Sequence, residues 1–130
     1  MRPKSDTLTG QELEIMKVIW PRGQATVREV YDQLRARRAV AYTTVQTMMN
    51  ILETKGHLAR AAGEKAHVYS PVRPQRVVVR SMVREFVDRV FDGSARPLLV
   101  HLLKEKGLTE RERRELQRIL DTDPGGKETK

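Results

Sequence analysis

Tyr42-Thr43-Thr44-Val45-Gln46-Thr47-Met48-Met49-Asn50-Ile51-Leu52-Glu53-Thr54-Lys55-Gly56 is the stretch on which the fold of this chain turns. At about 100° per residue, Val45, Met48, Met49 and Leu52 gather on one side of a helix, and Thr43, Gln46, Thr47, Asn50 and Thr54 gather on the other. The helix opens near Thr43 and stops at Lys55-Gly56, a basic residue followed by a C-terminal glycine. Its outward stripe is nearly free of charge and rich in amides and hydroxyls, whereas a merely solvated face is dominated by Lys and Glu. Amides pair with adenine edges in the major groove, and a threonine methyl rests on the thymine methyl. The stripe therefore has the chemistry of a base-reading surface.

Upstream, two Thr-x-x-Glu capping boxes, Thr9-Gly10-Gln11-Glu12 and Thr26-Val27-Arg28-Glu29, start two more helices. The first carries Leu13, Ile15, Met16, Ile19 and Trp20 and ends at Pro21-Arg22-Gly23. The second carries Val27, Val30, Tyr31 and Leu34 and dissolves into Arg35-Ala36-Arg37-Arg38. Downstream, residues 57–62 and 65–70 read as two short extended runs around Gly63-Glu64, a hairpin. Helix, helix, helix, hairpin is the order of a winged helix-turn-helix, and Pro71 and Pro74 close the unit. We expect a DNA-binding domain over 1–72.

Beyond the prolines, Val79, Met82, Val83, Phe86 and Val90 share one helical face, although the Val77-Val78-Val79 run by itself also suits a strand. Asp92-Gly93-Ser94 breaks that helix, and Ser94 is placed to cap a second one bearing Leu98, Leu99, Val100, Leu102 and Leu103. A helix apolar nearly all round has to be buried. A third capping box, Thr109-Glu110-Arg111-Glu112, starts a last helix with only Leu116, Ile119 and Leu120 as cover. Three helices in so short a segment cannot bury that surface alone. The pattern predicts a helical dimerisation domain over 73–122 forming an intertwined homodimer, with Val79, Met82, Val83, Phe86, Val90, Leu98, Leu99, Leu102 and Leu103 at the interface. Residues 123–130 read as a flexible tail. The fold class is thus mainly α with a small β-hairpin.

Composition agrees on the partner. The chain of 130 residues has 25 Lys+Arg against 17 Asp+Glu, a formal charge of +8, which favours a polyanion. Residues 1–75 carry +5 of that excess and residues 76–130 carry +3. Arg35, Arg37 and Arg38 precede the polar-faced helix, Lys55 ends it, and Arg60, Lys65 and His67 lie on the hairpin, where phosphates would flank a base-reading helix. No stretch approaches the roughly 20 apolar residues of a membrane-spanning helix. The N-terminus lacks the apolar core of a signal peptide, so a cytoplasmic location is expected. With no cysteine, disulfides, Cys-based zinc sites and thiol nucleophiles are excluded.

Catalytic chemistry finds little support. His57, His67 and His101 form no His-x-x-x-His pair. Phosphate-cradling glycine motifs and a nucleophile elbow are missing too. We expect no enzyme, no cofactor and no metal site. Met48, Met49 and Met82 stand at core spacing rather than lining a ligand cleft.

Several segments together resemble the penicillinase-repressor family: residues 8–20, Tyr42 to Leu52, Lys55-Gly56-His57-Leu58, Tyr69-Ser70-Pro71, and Phe91-Asp92-Gly93-Ser94 followed by a leucine-rich helix. The resemblance covers roughly residues 7 to 120. It implies a dimeric winged-helix transcriptional repressor on a palindromic operator. It also implies, in the β-lactam-responsive members, a membrane-bound zinc metalloprotease sensor whose signal leads to cleavage within the dimerisation helices. The family's Asn-Phe cleavage position falls at His101-Leu102, a departure from the family's dipeptide. The copper-responsive branch uses a C-terminal cysteine cluster, which this chain does not have.

Taken together, Thr43, Gln46, Thr47 and Asn50 are expected to contact bases. Thr44, Arg38, Arg60 and Lys65 are expected to contact phosphates. Two other uses stand beside this one: a small-molecule-responsive regulator with its ligand in the dimer cleft, and a winged helix serving as a protein-protein module with an idle polar stripe.

Overall fold

A computed structural model describes residues 7–105 and 107–122 of the chain; the tail expected over 123–130 lies outside the described residues. The elements are α1 (Gly10–Arg22), α2 (Val27–Arg35), α3 (Tyr42–Thr54), β1 (Leu58–Ala62), β2 (His67–Pro71), α4 (Gln75–Val90), α5 (Arg96–Lys104) and α6 (Glu110–Thr122). All three capping boxes close. The Thr9 hydroxyl accepts the Glu12 amide at 3.2 Å while the Glu12 carboxylate accepts the Thr9 amide at 3.0 Å. Thr26 with Glu29, and Thr109 with Glu112, repeat the arrangement at 2.9 to 3.1 Å. Each such cap is worth about 1 kcal/mol.

Helix α3 ends as its glycine foretells, Gly56 taking φ 88°, where a side chain would be strained. The hairpin pairs Leu58 with Pro71 and Ala62 with His67, antiparallel. Its second strand therefore starts at His67, later than the run from residue 65 suggests. Gly63 explains the tight turn between the strands. A Cβ there would collide with the Ala66 carbonyl oxygen and lie 2.8 Å from a Val68 methyl. A third edge, which the alternation of the sequence does not announce, comes from Ala25. Its amide and carbonyl both bond Tyr69, each at 2.9 Å, adding a one-residue bridge to β2.

Ile15, Met16 and Ile19 of α1, Val30 and Leu34 of α2, Val45, Met49 and Leu52 of α3, and Leu58 and Tyr69 of the hairpin form one buried core. Burying a large apolar side chain of this kind contributes about 1.5 to 3 kcal/mol. Three helices closed by a β-wing make a winged helix-turn-helix.

The chain divides into two compact units, one ending at Val83 and one beginning at Arg84. The first unit thus extends past the boundary expected at 72. Val78, on the first half of α4, is 5 % exposed within the winged-helix core, and Met82 is half-buried against the same core one turn later. The Trp20 indole N–H also donates to the Arg73 carbonyl at 3.1 Å. The Val77-Val78-Val79 run is helical, since Val78 and Met82 seal the core at the helical spacing of four. Met82, expected at the dimer interface, serves its own domain's core.

In the second unit, the Phe86 and Phe91 rings meet edge-on at 5.9 Å. Asp92 (φ 53°) and Gly93 turn the chain. Ser94 does not cap α5. The N-cap is Ala95, without a side-chain bond, and Pro97 stands in the first turn, where a missing N–H costs no helical bond. None of the residues of α5 is buried within this chain. Val83, Phe86, Val90, Leu99, Leu102 and Leu103 are exposed, and Val79 and Leu98 are half-buried. Helix α6 is laced by local ion pairs such as Arg114 with Glu110. Among the described residues no helix is long and apolar enough to cross a membrane, and no His, Asp and Glu cluster is suited to hold a metal ion.

Candidate nucleic-acid interface

Burial fixes which way α3 faces. Val45 is 1 % exposed, and Met49 and Leu52 are wholly buried, so the helix cannot roll about its axis without emptying the core. Thr43, Gln46, Thr47, Asn50 and Thr54 consequently stand together on the exposed side, with Thr44 exposed beside them. Ile51 and Tyr42, at 39 % and 37 %, widen that face with apolar surface. Thr54 donates to the Asn50 carbonyl at 3.1 Å, a local bond that leaves the face uncharged. Asn50 differs from its neighbours: its side-chain oxygen accepts a 3.0 Å hydrogen bond from the Tyr69 hydroxyl.

The flanking cations divide into committed and uncommitted groups. Arg38 grips Glu14 through two nitrogens, Nη2 to Oε1 at 2.8 Å and Nε to Oε2 at 3.2 Å. The hydrogen-bonded Arg38 guanidinium holds the Glu14 carboxyl below the usual carboxylate range, and Glu14 in turn raises Arg38. Lys55 points inward rather than toward a phosphate. Its Nζ lies 2.8 Å from Glu12 Oε1 and 3.2 Å from the Thr7 carbonyl, with the Lys55 side chain only 14 % exposed. Arg60 is exposed and loosely paired with Glu53 at 3.8 Å. Lys65 is exposed in the hairpin turn, and His67 is exposed at the start of β2.

A cluster at the entrance to α3 escaped the sequence reading. The Tyr31 and Tyr42 rings meet edge-on at 5.4 Å. The Arg28 guanidinium lies 5.9 Å and 6.0 Å from the two ring centres, and Arg35 lies 5.5 Å from that of Tyr31. Asp32 stands 3.7 Å from Arg28 and 3.9 Å from Arg35. The i, i+3, i+4, i+7 spacing of Arg28, Tyr31, Asp32 and Arg35 along α2 was the available signal. Stacking holds both cations close to the surface while leaving them substantially exposed. Unlike α1 and α2, α3 has no side-chain cap at its N-terminus; the Thr44 amide turns back to the Ala41 carbonyl at 3.1 Å, and the amides of Tyr42 and Thr43 are the ones an anion would meet.

Several known proteins are similar to this chain. The family model described as penicillinase repressor matches residues 8–122. The transcriptional regulator BlaI of Mycobacterium tuberculosis (strain ATCC 25618 / H37Rv) is 34% identical over 101 residues, 76% of this chain and 73% of that protein. The penicillinase repressor of Bacillus licheniformis is 28% identical over 118 residues, 91% and 92% of the two chains. The methicillin resistance regulatory protein MecI of Staphylococcus aureus (strain N315) is 22% identical over 121 residues, 93% and 98%. Among solved structures, the DNA binding domain of the repressor BlaI superposes with a TM-score of 0.50 at 31% identity, covering 57% of this chain and 90% of that domain. A winged helix with an uncharged outward stripe, joined to leucine-rich helices and matched from Leu8 to Thr122, places this chain in the penicillinase repressor family.

Proposed function

We propose that this protein is a cytoplasmic, sequence-specific transcriptional repressor that binds a palindromic operator as a homodimer. The observation that carries the proposal is the pinned, uncharged face of α3, set among exposed cations. In this reading α3 enters the major groove, with Thr43, Gln46, Thr47 and Asn50 on base edges. Thr44 and the open N-terminus of α3 meet one phosphate strand. Lys65 and Arg60 on the wing meet phosphates, as do Arg28 and Arg35 held by the tyrosines. The apolar surface of α5, together with Val83, Phe86 and Val90, is covered by a second copy. Two recognition helices then address half-sites about one helical turn apart. DNase footprinting on the DNA flanking its own gene tests the reading. A protected palindrome is expected, and an absence of protection at any concentration would favour the protein-protein module.

Release belongs to the same proposal. His101 and Leu102 are exposed on α5 within the single chain, and become accessible where the two copies part. Cleavage there, by a protease under the control of a membrane-bound sensor, would sever the helix that joins the two copies, after local unwinding to an extended strand.

Arg38 supplies a separate check. Paired with Glu14, it is neutralised as a phosphate ligand, and Glu14→Gln releases it. The variant is expected to bind random duplex more tightly and to steepen the dependence of log K on log salt by about one unit. An unchanged slope would remove Arg38 from the interface. Because the Glu14 carboxyl is depressed in the fold, the pair stabilises the protein above the ordinary carboxylate pKa. That contribution is lost as pH falls through the lowered value.

A further inference from the structure

A free asparagine at a base edge offers one donor and one acceptor, the pair that adenine N7 and N6–H₂ require. Asn50 is not free. Its side-chain oxygen accepts the Tyr69 hydroxyl at 3.0 Å. Tyr69 itself is held from several sides: it is 3 % exposed, both its backbone polar groups bond Ala25 at 2.9 Å, and it pairs across the hairpin with Arg60. Neither the ring nor its hydroxyl can move far without disturbing the wing and the bridge together. Rotating the Asn50 amide by half a turn would aim its NH₂ at the phenol and leave the phenolic hydrogen without its acceptor. The oxygen is thus turned toward Tyr69, and the NH₂ is the part of the amide left for a partner.

We infer that Tyr69 is a specificity-determining positioning residue, which turns the Asn50 oxygen inward so that its NH₂ faces the base and selects guanine rather than adenine. Guanine presents two acceptors, N7 and O6, to the major groove, which match the two hydrogens of the outward NH₂. Adenine presents its N6–H₂ to an amide whose acceptor oxygen is turned inward to the Tyr69 hydroxyl. This inference rests on the proposal that α3 enters the major groove, and it links the geometry of the wing to the base preference of the helix.

Selection of full-length protein against a library of random DNA duplexes tests it, using wild type, Asn50→Ala and Tyr69→Phe. Asn50→Ala identifies the position that Asn50 reads, as the one whose base preference flattens. Fluorescence anisotropy with the four single-base variants of the selected duplex then gives the preference at that position. Wild type is expected to favour guanine. Tyr69→Phe, which frees the amide oxygen, is expected to move the adenine-to-guanine affinity ratio toward adenine by roughly 5- to 150-fold. Should Tyr69→Phe fail to melt cooperatively, Asn50→Asp serves in its place. It keeps an acceptor for Tyr69 but turns an oxygen outward, and is expected to abolish the guanine preference. Adenine favoured by wild type, an unmoved ratio in Tyr69→Phe, guanine retained by Asn50→Asp, or no position flattened by Asn50→Ala would each overturn the inference while leaving DNA reading intact. Failure of wild type to enrich any sequence would overturn the DNA-reading proposal itself, and this inference with it.

Discussion

Leu99→Glu combined with Leu103→Glu is expected to turn a dimer into a monomer and to lower affinity for the two-half-site operator by roughly 10²- to 10⁴-fold. The two residues stand four apart on α5, each 41 % exposed within the single chain, so they share one face. In the proposed dimer that face is dry, and two carboxylates per chain would be desolvated against their counterparts. The winged helix should melt unchanged, because α5 buries none of its own residues in the chain that carries it. Sedimentation and operator titration read the two halves of the effect. A variant that sediments as the wild type does, or one that loses dimerisation yet keeps full operator affinity, would break the link between α5 and DNA binding.

Lys55→Met is expected to destabilise the winged helix by about 3 to 5 kcal/mol, a large share of the 5 to 15 kcal/mol typical of a domain. The Lys55 ammonium and the Glu12 carboxylate meet at 2.8 Å with side chains 14 % and 4 % exposed. Removing the lysine leaves a carboxylate that still accepts the Thr9 amide but is buried without its cation. The bridge joins the start of α1 to the end of α3, so its loss should loosen the recognition helix as well as the fold. Adding Glu12→Gln to Lys55→Met removes the stranded charge and should recover part of the loss. Urea melts of both single variants and the double variant measure this coupling. Strictly additive losses would mean that the two groups do not act as a pair.

These cases mark what periodicity conveys and what it does not. The capping boxes, the two-sided pattern of α3 and the Gly63 turn are local, and each fixes its backbone through neighbours a few residues away, so the winged helix could be read directly. The contacts that refine the site are long-range. Ala25 meets Tyr69, Tyr69 meets Asn50, and Lys55 meets Glu12 only after the chain has folded. Nothing in the composition around Lys55 or Arg38 distinguishes a cation that faces phosphate from one that faces a carboxylate. That choice is made by Glu12 and Glu14, one turn of α1 supplying both partners. The position of Val78 followed the same logic. A run of three valines states that something is buried, while the helical spacing to Met82 decides that it is the winged-helix core. The exposed leucines of α5 were legible because a helix apolar nearly all round cannot remain in water, whatever its partner.

Sequence-specific repression requires that the exposed face of α3 read bases. The most direct measurement is the affinity of Gln46→Ala for the footprinted operator and for a scrambled duplex of equal length, at one salt concentration. Gln46 is exposed on that face. The variant is expected to lose about 1 to 3 kcal/mol on the operator and almost nothing on the scrambled duplex. Equal losses on both duplexes, or no loss on either, would contradict base reading by α3.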